Sequence, residues 1–346
     1  MNVLLGLLYH SIGSFSSGSF MAPYVKIKRW SFENYWIIMG FFAWIVAPVV
    51  VAMLTVPNLI SVVLSAPKYS VVGSFLFGFF WGIGSITFGL AVRYLGYSLG
   101  YALTLGLSSI VGTILPLVIK DEFFVLFSSF SGRILLTGLL VNIVGILLCV
   151  KAGNEKDKEL DEITKSKQNT EYNYKTGIIV SLICGFFASF TAYGITAGEG
   201  IASVAKEYGA MPLMKNNATL VVLLLGGFIF NFFYYLVRNR KAIVAKELIK
   251  GEQRLQINNY FFSAVSGVLW YLQYMFYGMG TTQLGRYHFA SWTIHMTLII
   301  AFSNLWGLLF REWKICSKKT RNYAIAGIIV IIFSTMIIGY SSYLAN

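Results

Sequence analysis

Charge is scarce in this chain. Lys, Arg, Asp and Glu make up 12% of its 346 residues, and only 14 of them are acidic. Soluble domains carry about a quarter of their residues as charges, so a pair of water-soluble all-α domains is disfavoured. Cysteine is scarce too. Cys149, Cys184 and Cys316 stand far apart with no CxxC spacing, which points to neither a disulfide framework nor a thiolate metal site. Also missing are a Walker loop, HExxH, GxSxG and paired carboxylates inside apolar stretches. Their absence disfavours an ATP-driven pump and a membrane enzyme.

What is abundant is apolar surface: 57% of the residues are hydrophobic and 16% aromatic. Segments such as Val221 to Val237 and Ile325 to Ile338 carry no charge at all. A helix rises ~1.5 Å per residue, so about twenty such residues match a hydrocarbon core of ~30 Å. Uncharged windows of this kind fall at 3–21, 35–56, 71–91, 97–118, 133–150, 176–197, 216–237, 259–281, 287–309 and 322–343. The expectation is an all-α polytopic membrane protein with ten transmembrane helices in a lipid bilayer. The N-terminal window lacks a basic flank and a small-residue cleavage signal, so it reads as a retained first span.

The charge-rich, non-periodic run Lys151 to Lys175 separates residues 1–150 from 176–346, five windows on each side, and reads as a mobile cytoplasmic linker. The net charge of +13 does not argue for nucleic acid, because the basic residues sit beside the spans. Of the 27, all but Lys68, Lys120, Arg133, Lys206, Lys215 and Arg286 fall in or beside the odd-numbered loops. The excess of Lys and Arg on one side predicts that both termini are periplasmic.

The two halves echo each other. Trp81 to Gly96 reads WGIGSITFGLAVRYLG and Trp270 to Gly285 reads WYLQYMFYGMGTTQLG; the same register carries Gly138 onto Gly327. Gly13, Phe15 and Ser17 find a weaker echo in Gly185, Phe187 and Ser189. Five is an odd number, so two copies of a five-helix unit enter the membrane in opposite senses. Such inverted repeats suit alternating access to a midplane site. Many of the 33 glycines lie inside spans, Gly78, Gly82, Gly84 and Gly89 among them, where small residues let helices approach closely.

The strings His10-Ser11-Ile12-Gly13, Trp30-Ser31-Phe32-Glu33, Trp81-Gly82-Ile83-Gly84, Arg93-Tyr94-Leu95-Gly96, Gly132-Arg133, Trp270-Tyr271-Leu272-Gln273, Ser291-Trp292, His295-Met296 and Glu312-Trp313 run in order along nearly the whole chain. In these the chain resembles the L-rhamnose/proton symporter family of the drug/metabolite transporter superfamily. The resemblance implies uptake of L-rhamnose, or a close 6-deoxy sugar, with a proton across a bacterial inner membrane, without a further cofactor. A related permease or exporter for another sugar or small metabolite is the alternative. The family's Asp-Tyr pair before the Ser-Trp of span nine is replaced here by His288-Phe289.

A neutral sugar requires hydroxyl partners and a flat apolar surface for its C–H face. Trp270, Gln273, Tyr274 and Tyr277 lie along one helical face, and Gln273 is suited to pairing two hydroxyls. With Trp81, Ser14, Ser291 and Trp292 they are the candidate lining residues; packing against lipid or a neighbouring helix is the plainer reading. Proton coupling needs a group that titrates within the membrane. His10 and His295 are the leading candidates, since histidine titrates near pH ~6.5 and an intramembrane ionisable residue is a functional hypothesis by default. The plainer reading has each histidine bridging two helices by hydrogen bonds. Glu33 and Glu199 compete for the role. Glu33 also fits as a charge at a helix start capped by Ser31, and partial burial is expected to tune Glu199.

Overall fold

In a computed structural model the chain is described throughout except at residues 1, 120–122, 160–172, 239–242, 250–251, 285–289, 312, 315 and 345–346. Among the described residues every regular element is helical. The longer helices are α1 (Val3–Ser19), α2 (Phe32–Phe41), α3 (Ala47–Thr55), α4 (Lys68–Leu95), α5 (Tyr97–Ile119), α6 (Phe130–Glu159) and α7 (Tyr174–Ala188). They are followed by α8 (Phe190–Ala197), α9 (Glu199–Glu207), α10 (Asn216–Arg238), α11 (Ile243–Ile249), α12 (Gln253–Gln283), α13 (Ala290–Leu309) and α14 (Lys318–Leu344).

Seven helical stretches among the described residues are long and apolar enough to cross a membrane: Phe32–Thr55, Lys68–Leu95, Phe130–Lys156, Tyr174–Glu207, Asn216–Arg238, Ser291–Leu309 and Lys318–Ile338. Each overlaps an expected window. The other three windows are helical as well. The first, α1, has 17 residues, and α5 has 23, with an apolar stretch at Leu99–Gly112. In the 31-residue α12, Asn258, Asn259, Ser263, Ser266 and Gln273 interrupt the apolar run. Helix α6 continues to Glu159, nine residues into the expected linker, and α7 begins at Tyr174; residues 160–172 lie outside the described residues. Leu54 and Leu64, both 80% exposed, are typical of apolar side chains turned outward, where lipid replaces water.

The chain forms two compact units. The first comprises Met1–Gly18, Ile86–Ser189 and Gly280–Asn346. In it α6 lies along α14, α13 packs on both α5 and α14, and α7 packs on α5. Glycine sets the α6–α14 approach. A Cβ at Gly145 would stand 3.0 Å from the Ile331 amide nitrogen, one at Gly138 2.6 Å from the Ile338 side chain, and one at Gly327 2.6 Å from Cys149 Sγ. At the end of α6, the Glu159 carboxylate accepts hydrogen bonds from the Ser317 amide and hydroxyl and from the Thr320 hydroxyl, each 2.6 Å long. These bonds hold its carboxyl below the usual carboxylate range, the Ser317 hydroxyl contributing most.

The second unit comprises Ser19–Ser85 and Phe190–Met279. Here α10 packs against α2, α3, α8 and α9. Gly78 faces the Leu223 carbonyl and Gly267 the Met39 carbonyl, each closely enough that a Cβ would overlap the oxygen. Between α2 and α3, Phe42–Val46 forms a π-helical turn in which the Ala47 amide reaches the Phe42 carbonyl. Pro48 supplies the reason. It has no N–H for the Trp44 carbonyl and its ring would clash there, so the helix widens instead of breaking.

Candidate functional site

In the first unit α1 and α13 bring together His10, Ser14 and His295, all fully buried. The Ser14 hydroxyl donates to the His295 carbonyl at 2.9 Å and lies 3.1 Å from His295 Nδ1. Both bonds form at once when Nδ1 carries the ring proton and Ser14 accepts it, which fixes the tautomer. The two imidazoles approach edge to face, centroids 5.6 Å apart at 62°. Gly280 permits this: a Cβ there would stand 2.7 Å from His10 Nε2. Two imidazoles this close, both out of water, cannot both be protonated without strong mutual repulsion.

The neighbouring residues of α13 have other tasks. The Trp292 indole N–H donates to the Ser108 carbonyl at 3.0 Å, its ring lying over Gly112. Thr293 donates to the Ser109 carbonyl at 3.3 Å, and Asn142 donates to Thr297 at 3.0 Å. Trp292 thus locks α13 to α5. Ser291 is fully buried, with no hydrogen-bond partner for its hydroxyl among the described residues. Beyond Ser14, the Ser17 and Gly18 carbonyls accept from the Tyr101 and Tyr97 hydroxyls at 3.2 and 2.5 Å.

The second unit holds no histidine; it gathers aromatic rings. Trp81 and Trp270 meet with centroids 5.4 Å apart, and Tyr274 stands 4.9 Å from Trp270 and 6.4 Å from Trp81. Thr191 lies within 3.4 Å of the Tyr274 hydroxyl. Gln273 and Tyr277 are also buried. Trp44, not foreseen as a site residue, completes the group at 5.7 Å from both Trp81 and Trp270. Behind it Asn231 accepts from the Trp36 indole at 3.1 Å and donates to Ser85 at 2.7 Å and to the Gly227 carbonyl at 2.8 Å. An asparagine in an otherwise uncharged span was the available signal for this network.

Each of the two acidic candidates lies in the first turn of a helix. Glu33 sits in the first turn of α2, half-buried, where Ser31 caps the helix by accepting from the Asn34 amide at 3.4 Å. That position suits a charge favoured by the helix dipole. Glu199 does not have the expected partial burial. Its side chain is 70% exposed and 3.8 Å from Lys215, because it starts the short amphipathic α9. A third carboxylate, Glu247, accepts from the Ser31 amide at 2.8 Å and from Asn34 Nδ2 at 2.9 Å. His288 and Phe289 lie outside the described residues. No cluster of three or more potential metal ligands occurs among the described residues.

Long charge-poor helices, their interiors carrying a histidine pair and a tryptophan cluster, define a multi-pass α-helical membrane protein. Comparison with known proteins gives the family. The model of the L-rhamnose-proton symport protein family matches residues 1–343. L-rhamnose-proton symporters from Shigella dysenteriae serotype 1 and Escherichia coli strain SMS-3-5 are each 32% identical to this chain over 340 residues. One from Pectobacterium atrosepticum is 33% identical over the same length, and in all three the alignment covers 97% of both chains. The chain belongs to the L-rhamnose-proton symport protein family, which makes it a transporter and not an enzyme.

Proposed function

We propose that this protein imports L-rhamnose together with a proton across a bacterial inner membrane by alternating access, with no cofactor beyond the proton. The observation that carries the reading is the family match along nearly the full chain. Trp81, Trp270, Gln273, Tyr274 and Tyr277 receive the sugar, the rings against its C–H face and the amide on its hydroxyls. His295, held by Ser14, and His10 carry the proton. Ser291 offers a further hydroxyl, while Trp292 acts through the packing of α13.

The architecture proposed is ten spans in two inverted repeats, residues 1–150 and 176–346. Paired contacts support it. The register that carries Trp81 onto Trp270 also carries Gly78 onto Gly267, Gly138 onto Gly327 and Cys149 onto Ile338. Gly138 packs on Ile338 while Gly327 packs on Cys149, the exchange of partners that a two-fold axis produces. Trp81 and Trp270 touch each other, as equivalent residues do only beside the axis. In an inverted-repeat transporter that axis lies near the midplane, where substrate binds. The one-sided distribution of Lys and Arg supports periplasmic termini.

Proteoliposomes test the function. Labelled L-rhamnose accumulates when the outside is made acidic, and adding the sugar alkalinises the medium. Accumulation that persists after the pH gradient is collapsed would refute proton coupling.

A further inference from the structure

We infer that Trp44 is a specificity-determining residue of the sugar site, its indole N–H donating a hydrogen bond to one hydroxyl oxygen of the bound sugar. The inference rests on the reading of the Trp81–Trp270 cluster as that site.

Trp44 is 1% exposed, and its Nε1 has no hydrogen-bond acceptor among the described residues. Three other buried indoles differ from it. Trp30, Trp36 and Trp292, all buried, give their N–H groups to the Glu247 carbonyl, Asn231 and the Ser108 carbonyl respectively. A buried indole ordinarily finds a partner, and inside a membrane there is no bulk water to supply one. A donor left unmatched in the protein is matched by a ligand oxygen, or it is a standing cost.

The surroundings fit a sugar. Trp44 stands nearly perpendicular to both neighbouring indoles, at 86° to Trp81 and 82° to Trp270. Trp81 and Trp270 thus offer ring surface beside this unmatched donor. That pairing of apolar faces with an indole N–H suits a 6-deoxy sugar, whose methyl and C–H groups outnumber those of an ordinary hexose. Residue 44 is also near the centre of its 24-residue helical stretch, ~18 Å from the start at 1.5 Å per residue. Backbone irregularity marks the spot too, since the π turn ahead of Pro48 contains Trp44, and such turns recur at functional sites. Its ring is seated on Gly40, where a Cβ would come within 2.3 Å of the indole.

The test is equilibrium binding of L-rhamnose and its 2-, 3- and 4-deoxy analogues to the full chain in nanodiscs. In the wild type one analogue binds roughly tenfold more weakly than rhamnose, the loss of one buried hydrogen bond. Trp44→Phe keeps a ring but removes the N–H; it weakens rhamnose by a similar factor and no longer distinguishes rhamnose from that analogue. Gly40→Ala, which displaces the indole without deleting it, erases the same discrimination and serves if Trp44→Phe does not fold. Unchanged rhamnose affinity in both variants, or discrimination among all analogues preserved in either, overturns the role of Trp44 alone. No rhamnose binding by the wild type overturns the functional reading beneath it, and this inference with it.

Discussion

The two compact units differ in the chemistry they bury. The first holds His10 and His295 in contact, tied by Ser14, in a unit that also buries serines, threonines, Asn142 and Asn304. The second holds Trp44, Trp81, Trp270 and Tyr274 with no histidine. One collection of groups can gain and lose a proton; the other presents ring faces and hydrogen-bond donors but no charge that changes near neutral pH. On the proposed assignment recognition and coupling rest on different residue types, so the two functions should be separable by mutation.

The largest effect should come from His295→Ala. It is expected to lower proton-driven accumulation by roughly a hundredfold or more, the scale of a lost proton-transfer group, while rhamnose binding at equilibrium changes little. Equal losses of accumulation and binding would erase the division between the units. Trp270→Ala is the converse. Affinity should fall by roughly 30-fold, about 2 kcal/mol of aromatic contact, while the pH dependence of whatever uptake remains is unaltered; an altered dependence would place proton chemistry in the aromatic unit as well.

The smallest effect concerns Glu159, which sharpens the comparison by removing a confounding titration. Its folded-state carboxyl lies below the usual range because Ser317 and Thr320 donate to it. The stabilisation is therefore present above the unfolded carboxyl value and lost as pH falls through the folded one. Glu159→Gln should flatten the acid limb of a thermal-stability profile and leave the pH profile of uptake unchanged. A shifted uptake profile would mean that α6 and the start of α14 take part in coupling.

Much of the helical pattern was legible because hydrocarbon imposes a simple rule: a segment without charges, long enough to span, becomes a helix. The Ser31 cap was legible for a similar local reason. The aromatic face of Trp270, Tyr274 and Tyr277 followed from helical periodicity. Trp292 shows the limit of that method. Its position on the helix gave no sign that its indole is bonded to the Ser108 carbonyl, a partner far away in sequence. Glu199 shows another, since exposure depends on what packs beside a helix and not on its own pattern.

The sequence by itself determined that this is a helical membrane protein and which strings mark its family. Those properties follow from composition and order along the chain. Only the tertiary structure decided that Ser14 holds His295, that Trp81 meets Trp270, and that Trp44 joins them with an unmatched N–H. The reason is physical: ring contacts and side-chain hydrogen bonds act over a few ångströms, and helices distant in sequence come within that reach only where glycines such as Gly78, Gly267 and Gly280 leave room.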